Sequence, residues 1–106
     1  MTAGLAVRST AEVATPHASR YLQQLCKHFA HKRPVSCDPG TGHIAFDIGG
    51  CRLDAADARL TLSLESPDAD QMVRLQAVVA RHLVRFAFRE ELQFDWRPAR
   101  EPGLVE

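Results

Sequence analysis

His28 and His31 are the residues whose spacing comes closest to chemistry. Three apart on a helix, two imidazoles project to one side and can share a metal ion. Cys26 stands two residues earlier, but at the helical angle its thiol falls on the opposite side from both histidines. Lys27, Lys32 and Arg33 crowd the same stretch and oppose the gathering of a cation. Solvated histidines on a basic face are therefore expected, with His28 and His31 as the only metal candidates and no resident metal or cofactor. Cys26, Cys37 and Cys51 are odd in number and contain no Cys-x-x-Cys pair, so buried, reduced thiols are expected. Nothing sets a nucleophile beside a base and an orienting third group. Gly40-Thr41-Gly42 lies between strands instead of opening a helix, which makes it a turn and not a phosphate cradle.

A second group, Arg74, Arg81, Arg85 and Arg89, recurs at spacings that keep the guanidinium groups in one sector of a helix. Such groups bind carboxylates and phosphates through paired hydrogen bonds. Arg81, Arg85 and Arg89 are thus candidates for an anion or acidic-partner site. The plainer alternative is a solvated face paired in part with Glu90, Glu91 and Asp95. A third set, His43, Asp47, Thr61 and Ser63, falls on the polar side of alternating strands and is the ligand-binding candidate, on an open sheet face where Glu12, Asp54 and Glu65 can join it and an excess of acids would favour a cationic group, a metal complex or a basic protein surface.

The elements that position these groups follow from periodicity. Thr10 to Thr15 reads as a strand, and Thr15-Pro16 as a helix cap followed by proline. Tyr21, Leu22, Leu25, Cys26 and Phe29 then form the apolar side of a helix ending near Arg33-Pro34. Val35 to Asp38, His43 to Ile48, Cys51 to Asp54 and Arg59 to Glu65 read as strands, with Gly49-Gly50 as a hairpin turn. Ser66-Pro67-Asp68 repeats the cap signature before a long helix to about Glu90. Its core stripe is Met72, Leu75, Val79, Leu83 and Phe86. Val73, Ala77, Ala80 and Val84 form a second stripe expected to pack against the first helix. Leu92 to Trp96 alternates as a last strand or extended arm, with Trp96 expected to close the core.

The predicted fold is α+β: one antiparallel sheet with both helices on one face, in the order β-α-β-β-β-β-α and a possible final β, the other face open. The 106 residues suit a single domain, with an ordered core at about 10–96 and a polar tail at 97–106. No segment approaches the roughly 20 apolar residues of a membrane span, and the first residues are too weakly apolar for a secretory signal, so a cytoplasmic chain without membrane contact is expected. The formal net charge is zero. It is unevenly spread: Arg20, Lys27, Lys32 and Arg33 sit in the first helix region without an acid, as do the four arginines of the second. Residues 37–70 carry Asp38, Asp47, Asp54, Asp57, Glu65, Asp68 and Asp70 against only Arg52 and Arg59. A positive helix side and an acidic sheet side follow, which argues against a dedicated nucleic-acid binder.

Arg20-Tyr21-Leu22-Gln23-Gln24-Leu25-Cys26-Lys27-His28-Phe29-Ala30-His31-Lys32, and His82 to Leu92 followed by Trp96, resemble the bacterial domain of unknown function 2218 family. The likeness runs from about Thr10 to Trp96. It implies a fold similar to the TATA-box-binding-protein-like or phosphohexomutase C-terminal type. It also implies a link to iron and siderophore metabolism, because flavin-dependent siderophore reductases carry a similar domain; it brings no catalytic residues. The resulting expectation is a non-enzymatic binding or accessory module, with a reductase of that kind as partner. The alternatives are a small enzyme or metal-dependent protein with its site on the open sheet face, and a homodimeric structural domain.

Overall fold

A computed structural model of the chain describes residues 6–98. Strand β1 (Val7–Ala14) leads into helix α1 (Ala18–Phe29), followed by β2 (Val35–Cys37), β3 (Thr41–Phe46), β4 (Gly49–Ala56), β5 (Arg59–Ser66), helix α2 (Ala69–Phe86) and a two-residue β6 (Arg97–Pro98). The strands form one six-stranded sheet in the order β2-β3-β4-β5-β1-β6, every pairing antiparallel. Alternation decides its faces. Val13, Ile44, Cys51, Leu53, Leu60, Leu62 and Leu64 point to one side and are buried. Tyr21, Leu22 and Leu25 of α1 and Met72, Leu75, Val79 and Leu83 of α2 cover them, so both helices lie on the same face as expected.

Several boundaries differ from the sequence expectation, each for a local reason. The β3–β4 turn is Asp47-Ile48, flanked by the pair Phe46 and Gly49, not Gly49-Gly50. Gly49 serves a close approach instead: its φ is +148°, and a β-carbon there would stand 2.1 Å from the Glu65 carbonyl oxygen. The β4–β5 hairpin turns on Asp57 and Ala58, with φ of 55° and 57°, the left-handed pair of a type I′ turn built without glycine. The cap of α2 is Asp68, whose carboxylate accepts the Gln71 N–H at 2.8 Å; Ser66 ends β5 and donates its hydroxyl to the Ile48 carbonyl at 2.6 Å. Thr15 does not cap α1 directly. His17 holds that position, and Thr15 Oγ1 accepts the His17 N–H at 3.1 Å. Both helices stop earlier than expected, at Phe29 and Phe86, each running into a turn.

The second stripe of α2 does not meet α1. Val73, Ala77 and Val84 are exposed, because α2 rests on the sheet through Met72, Leu75, Val79 and Leu83 and leans toward α1 only through His82 and Phe86. Beyond α2, residues 91–96 are an extended arm: Leu92 is buried, and Phe94 and Trp96 pack partly buried against the core. Strand β1 begins at Val7, and Arg97-Pro98 pair with Ser9 and Thr10. The rest of the expected tail, 99–106, lies outside the described residues. No described helix is long and apolar enough to cross a membrane.

Candidate functional site

The open sheet face is organised by register into rows. Ser36, His43, Arg52, Ser63, Thr10 and Arg97 stand opposite one another across all six strands. The next row is Thr41, Asp54, Thr61 and Glu12. Of the expected face residues, His43 and Ser63 therefore share a row, two strands or roughly 10 Å apart with Arg52 between them, and Thr61 sits one row over. Asp47 is not with them. It belongs to the turn and pairs with Arg33 at 2.9 Å, because β3 stops at Phe46.

Nor is the face acidic. Each carboxylate on it meets an arginine: Glu65 with Arg8, Asp54 with Arg52, Glu12 with Arg59, and Asp95 with Arg97 at its edge. The Arg52 and Arg97 contacts each use two guanidinium nitrogens on the acid two residues away. Charges on alternate residues of one strand face thus cancel locally, and the surplus of acids read along the chain vanishes in the folded surface.

The helix side keeps its imbalance. Arg20, Lys27 and Lys32 from the α1 side and Arg74, Arg81, Arg85 and Arg89 from the α2 side form no ion pair with any acid among the described residues. Two of the three acids expected to neutralise the late arginines are engaged elsewhere, Asp95 with Arg97 and Glu90 at the start of α1, while Glu91 is exposed near Arg89 without an ion pair to it. The Tyr21 hydroxyl donates to Glu90 Oε2 at 2.5 Å and the Thr15 hydroxyl to the same oxygen at 3.0 Å. These bonds hold the Glu90 carboxyl below the usual carboxylate range, while burial and the same carboxylate push the Tyr21 phenol up.

Two clefts lie along the line where α1 and α2 converge. The larger, about 790 Å³, is walled by Gln24, Lys27, His28, His31, Lys32, Arg33 and His82 over Phe29 and Phe86. The other, about 520 Å³, lies between the start of α1 and the turn after α2, with Arg20 and Arg89 above Tyr21, Phe86 and Phe88. Phe86 borders both, and the Arg89 guanidinium lies 5.4 Å from the centre of the Phe88 ring. The floor of the larger cleft is an aromatic cluster: Phe29 meets Phe46 and His82 at 4.9 Å each, and His28 meets His82 at 4.8 Å.

His82 is the residue the sequence reading passed over. Its Nδ1 lies 2.7 Å from the Val78 carbonyl, within hydrogen-bonding distance. Only the ring contact across helices reveals it; the available signal was its α-helical spacing from Phe86, which puts both toward α1. His28 therefore faces His82, not His31, which is exposed beyond the end of α1. His28 is exposed, but partial desolvation first, then His82, Arg85, Lys32 and His31, lower its pKa. Two imidazoles among lysines and arginines make a poor cation site, and no cluster of three His, Cys, Asp or Glu suited to a metal occurs among the described residues. Of the cysteines, Cys26 and Cys51 are buried and Cys37 is exposed at the end of edge strand β2, against the expectation that all three are buried.

Comparison with known proteins gives a family and a relative. No curated protein matches the sequence. The NMR structure of PA4090 from Pseudomonas aeruginosa superposes with a TM-score of 0.75 at 42% sequence identity, over 90% of this chain and 99% of that one. Residues 10–97 match the family described as uncharacterized proteins conserved in bacteria, DUF2218, and the chain belongs to that family.

Proposed function

We propose that this protein is a binding module whose working surface is the cationic helix side, and that it takes up a partner through that partner's carboxylates. The observation that carries this reading is the division of charge. Every acid on the open sheet face is matched by an arginine, whereas the cations from Arg20 to Lys32 and from Arg74 to Arg89 outnumber the acids near them, Asp68 by Arg74 and Glu90 by Arg20 and Arg89, and form no ion pair among the described residues. Clustered, unneutralised cations raise the local potential and steer anions to themselves. Phe88 beside Arg89 adds an apolar contact at the same place. The iron and siderophore context comes from the family resemblance alone; within it, a reductase surface rich in exposed carboxylates is a concrete partner to try.

The test is fluorescence anisotropy with a labelled glutamate-rich peptide over a range of salt concentrations. Binding that weakens with salt, and falls about tenfold or more in Arg81→Glu/Arg85→Glu but not in Arg52→Glu, supports the reading. No binding, or equal loss from the sheet-face variant, overturns it. A second reading places a small ligand on the sheet face, on the strength of the row that joins His43, Arg52 and Ser63. Amide shifts confined to His43, Thr61 and Ser63 on titration with metal ions or siderophores would favour it.

A further inference from the structure

Helix α2 presents to solvent an apolar stripe that the core does not use. Val73 is 63% exposed and Val84 53%, with Ala77 exposed and Ala80 half-buried between them. At 100° per residue these four positions fall within a sector of roughly 60°, and Phe88, 79% exposed, continues the line past the end of the helix. From Val73 to Val84 the stripe runs for about 16 Å. Large apolar side chains left in water in a continuous line mark a contact surface more often than isolated ones do. The spacing of four, three, four and four residues is that of helix-on-helix packing.

The flank identifies what covers it. On the side toward α1, Arg74, Arg81 and Arg85 form an exposed ridge immediately beside the stripe; Arg74 acts on Asp68 at the start of the helix, and Arg81 and Arg85 form no ion pair with a described acid. On the other side the helix is tied down to the sheet, where Gln76 donates to the Ser9 hydroxyl at 3.0 Å. We infer that the stripe docks an amphipathic helix of a partner protein, its apolar face on Val73, Val84 and Phe88 and its acidic flank against the arginine ridge. A second copy of this chain fits poorly. Two-fold pairing of antiparallel helices sets like flanks against each other, so ridge would meet ridge. A nucleic acid would use the arginines and leave the valines in water. The inference rests on the reading that the partner is acidic and adds the form in which the acids are presented.

The experiment uses the full chain and three labelled synthetic peptides: an amphipathic helix with leucines on one face and glutamates beside them, a scramble of the same composition without an apolar face, and the first peptide with lysine for glutamate. The acidic amphipathic peptide is expected to bind at least about tenfold more tightly than either other. Val84→Ser/Phe88→Ser should lose about tenfold or more of that affinity with an unchanged melting temperature, and Arg81→Glu/Arg85→Glu should come to prefer the lysine peptide. Equal binding of the scramble, indifferent to Val84→Ser/Phe88→Ser, overturns the helix-docking inference while leaving an acidic partner in place. Failure of both acidic peptides to bind overturns both readings. A dimer in sedimentation that dissociates on Phe88→Ser assigns the stripe to a second copy and overturns the inference, as does oligonucleotide binding that Phe88→Ser abolishes.

Discussion

Replacing Leu83 by Ala removes three carbon atoms from a side chain with no exposed surface, on the line where α2 rests on the sheet. At roughly 0.8 kcal/mol for each buried carbon group, the lost transfer energy alone is about 2.5 kcal/mol. Surrounding side chains held between two helices and a sheet collapse only partly into the space, and the residual cavity raises the cost to about 3–5 kcal/mol. Its neighbour Val84 is 53% exposed, and Val84→Ala removes two carbons already half in water while improving helix propensity. The expected cost there is below about 0.5 kcal/mol. Urea unfolding followed by circular dichroism separates the two. With a denaturant slope of about 1.5 kcal/mol per molar, Leu83→Ala should lower the midpoint by about 2 M or more, whereas Val84→Ala should barely move it. A small effect at Leu83, or a loss above about 1.5 kcal/mol at Val84, would mean that α2 is rotated on the sheet. The account of both the core and the exposed stripe would then fail together.

Other measurements probe the turns, the cleft and the thiols. Ala58 holds φ at 57°, where a β-carbon is crowded, so Ala58→Gly should raise stability by about 0.5–1 kcal/mol; a loss would contradict the I′ turn. The His28 pKa is lowered in the folded protein because partial desolvation and the neighbouring His82, Arg85, Lys32 and His31 oppose its charge. Between neutrality and that lowered value the unfolded chain holds the extra proton, so stability rises with pH there and is lost as pH falls. The melting temperature should therefore drop more steeply from pH 7.5 to 5 in the wild type than in His28→Gln, and parallel curves would refute the cleft geometry. Burial, and next the hydrogen bond to Cys37, push the Cys26 thiol up to about 12, and burial also raises that of Cys51. Iodoacetamide should thus modify Cys37 alone in the native protein, and rapid labelling of Cys26 or Cys51 would show that the sheet and helices are packed otherwise.

Periodicity by itself determined which residues enter the core. The period-two runs at Leu60-Leu62-Leu64 and the stripe Met72-Leu75-Val79-Leu83 are properties of neighbouring residues on one element, and they are buried as read, while Phe86, read into the same stripe, is half-buried. The order of elements and the placement of both helices on one face follow from the same patterns. The turns did not, because their sequences mislead locally. Gly49 is demanded by the carbonyl of Glu65 on another strand, and Asp57-Ala58 turns without a glycine because the pairing of β4 with β5 on either side imposes it. Charge was the deepest divide. Along the chain, residues 37–70 read as acidic, yet the pairings Arg8 with Glu65 and Arg59 with Glu12 join β1 to β5 across more than 40 residues of sequence and neutralise the sheet face. The contact of His28 with His82 likewise exists only because α1 and α2 lie side by side. A sequence states which groups are present and which face of an element they take. Which groups meet across elements depends on strand register and helix placement, which long-range packing decides, and that is why the balanced sheet emerged only from the tertiary structure, whereas the basic helix side was legible in the two acid-free runs.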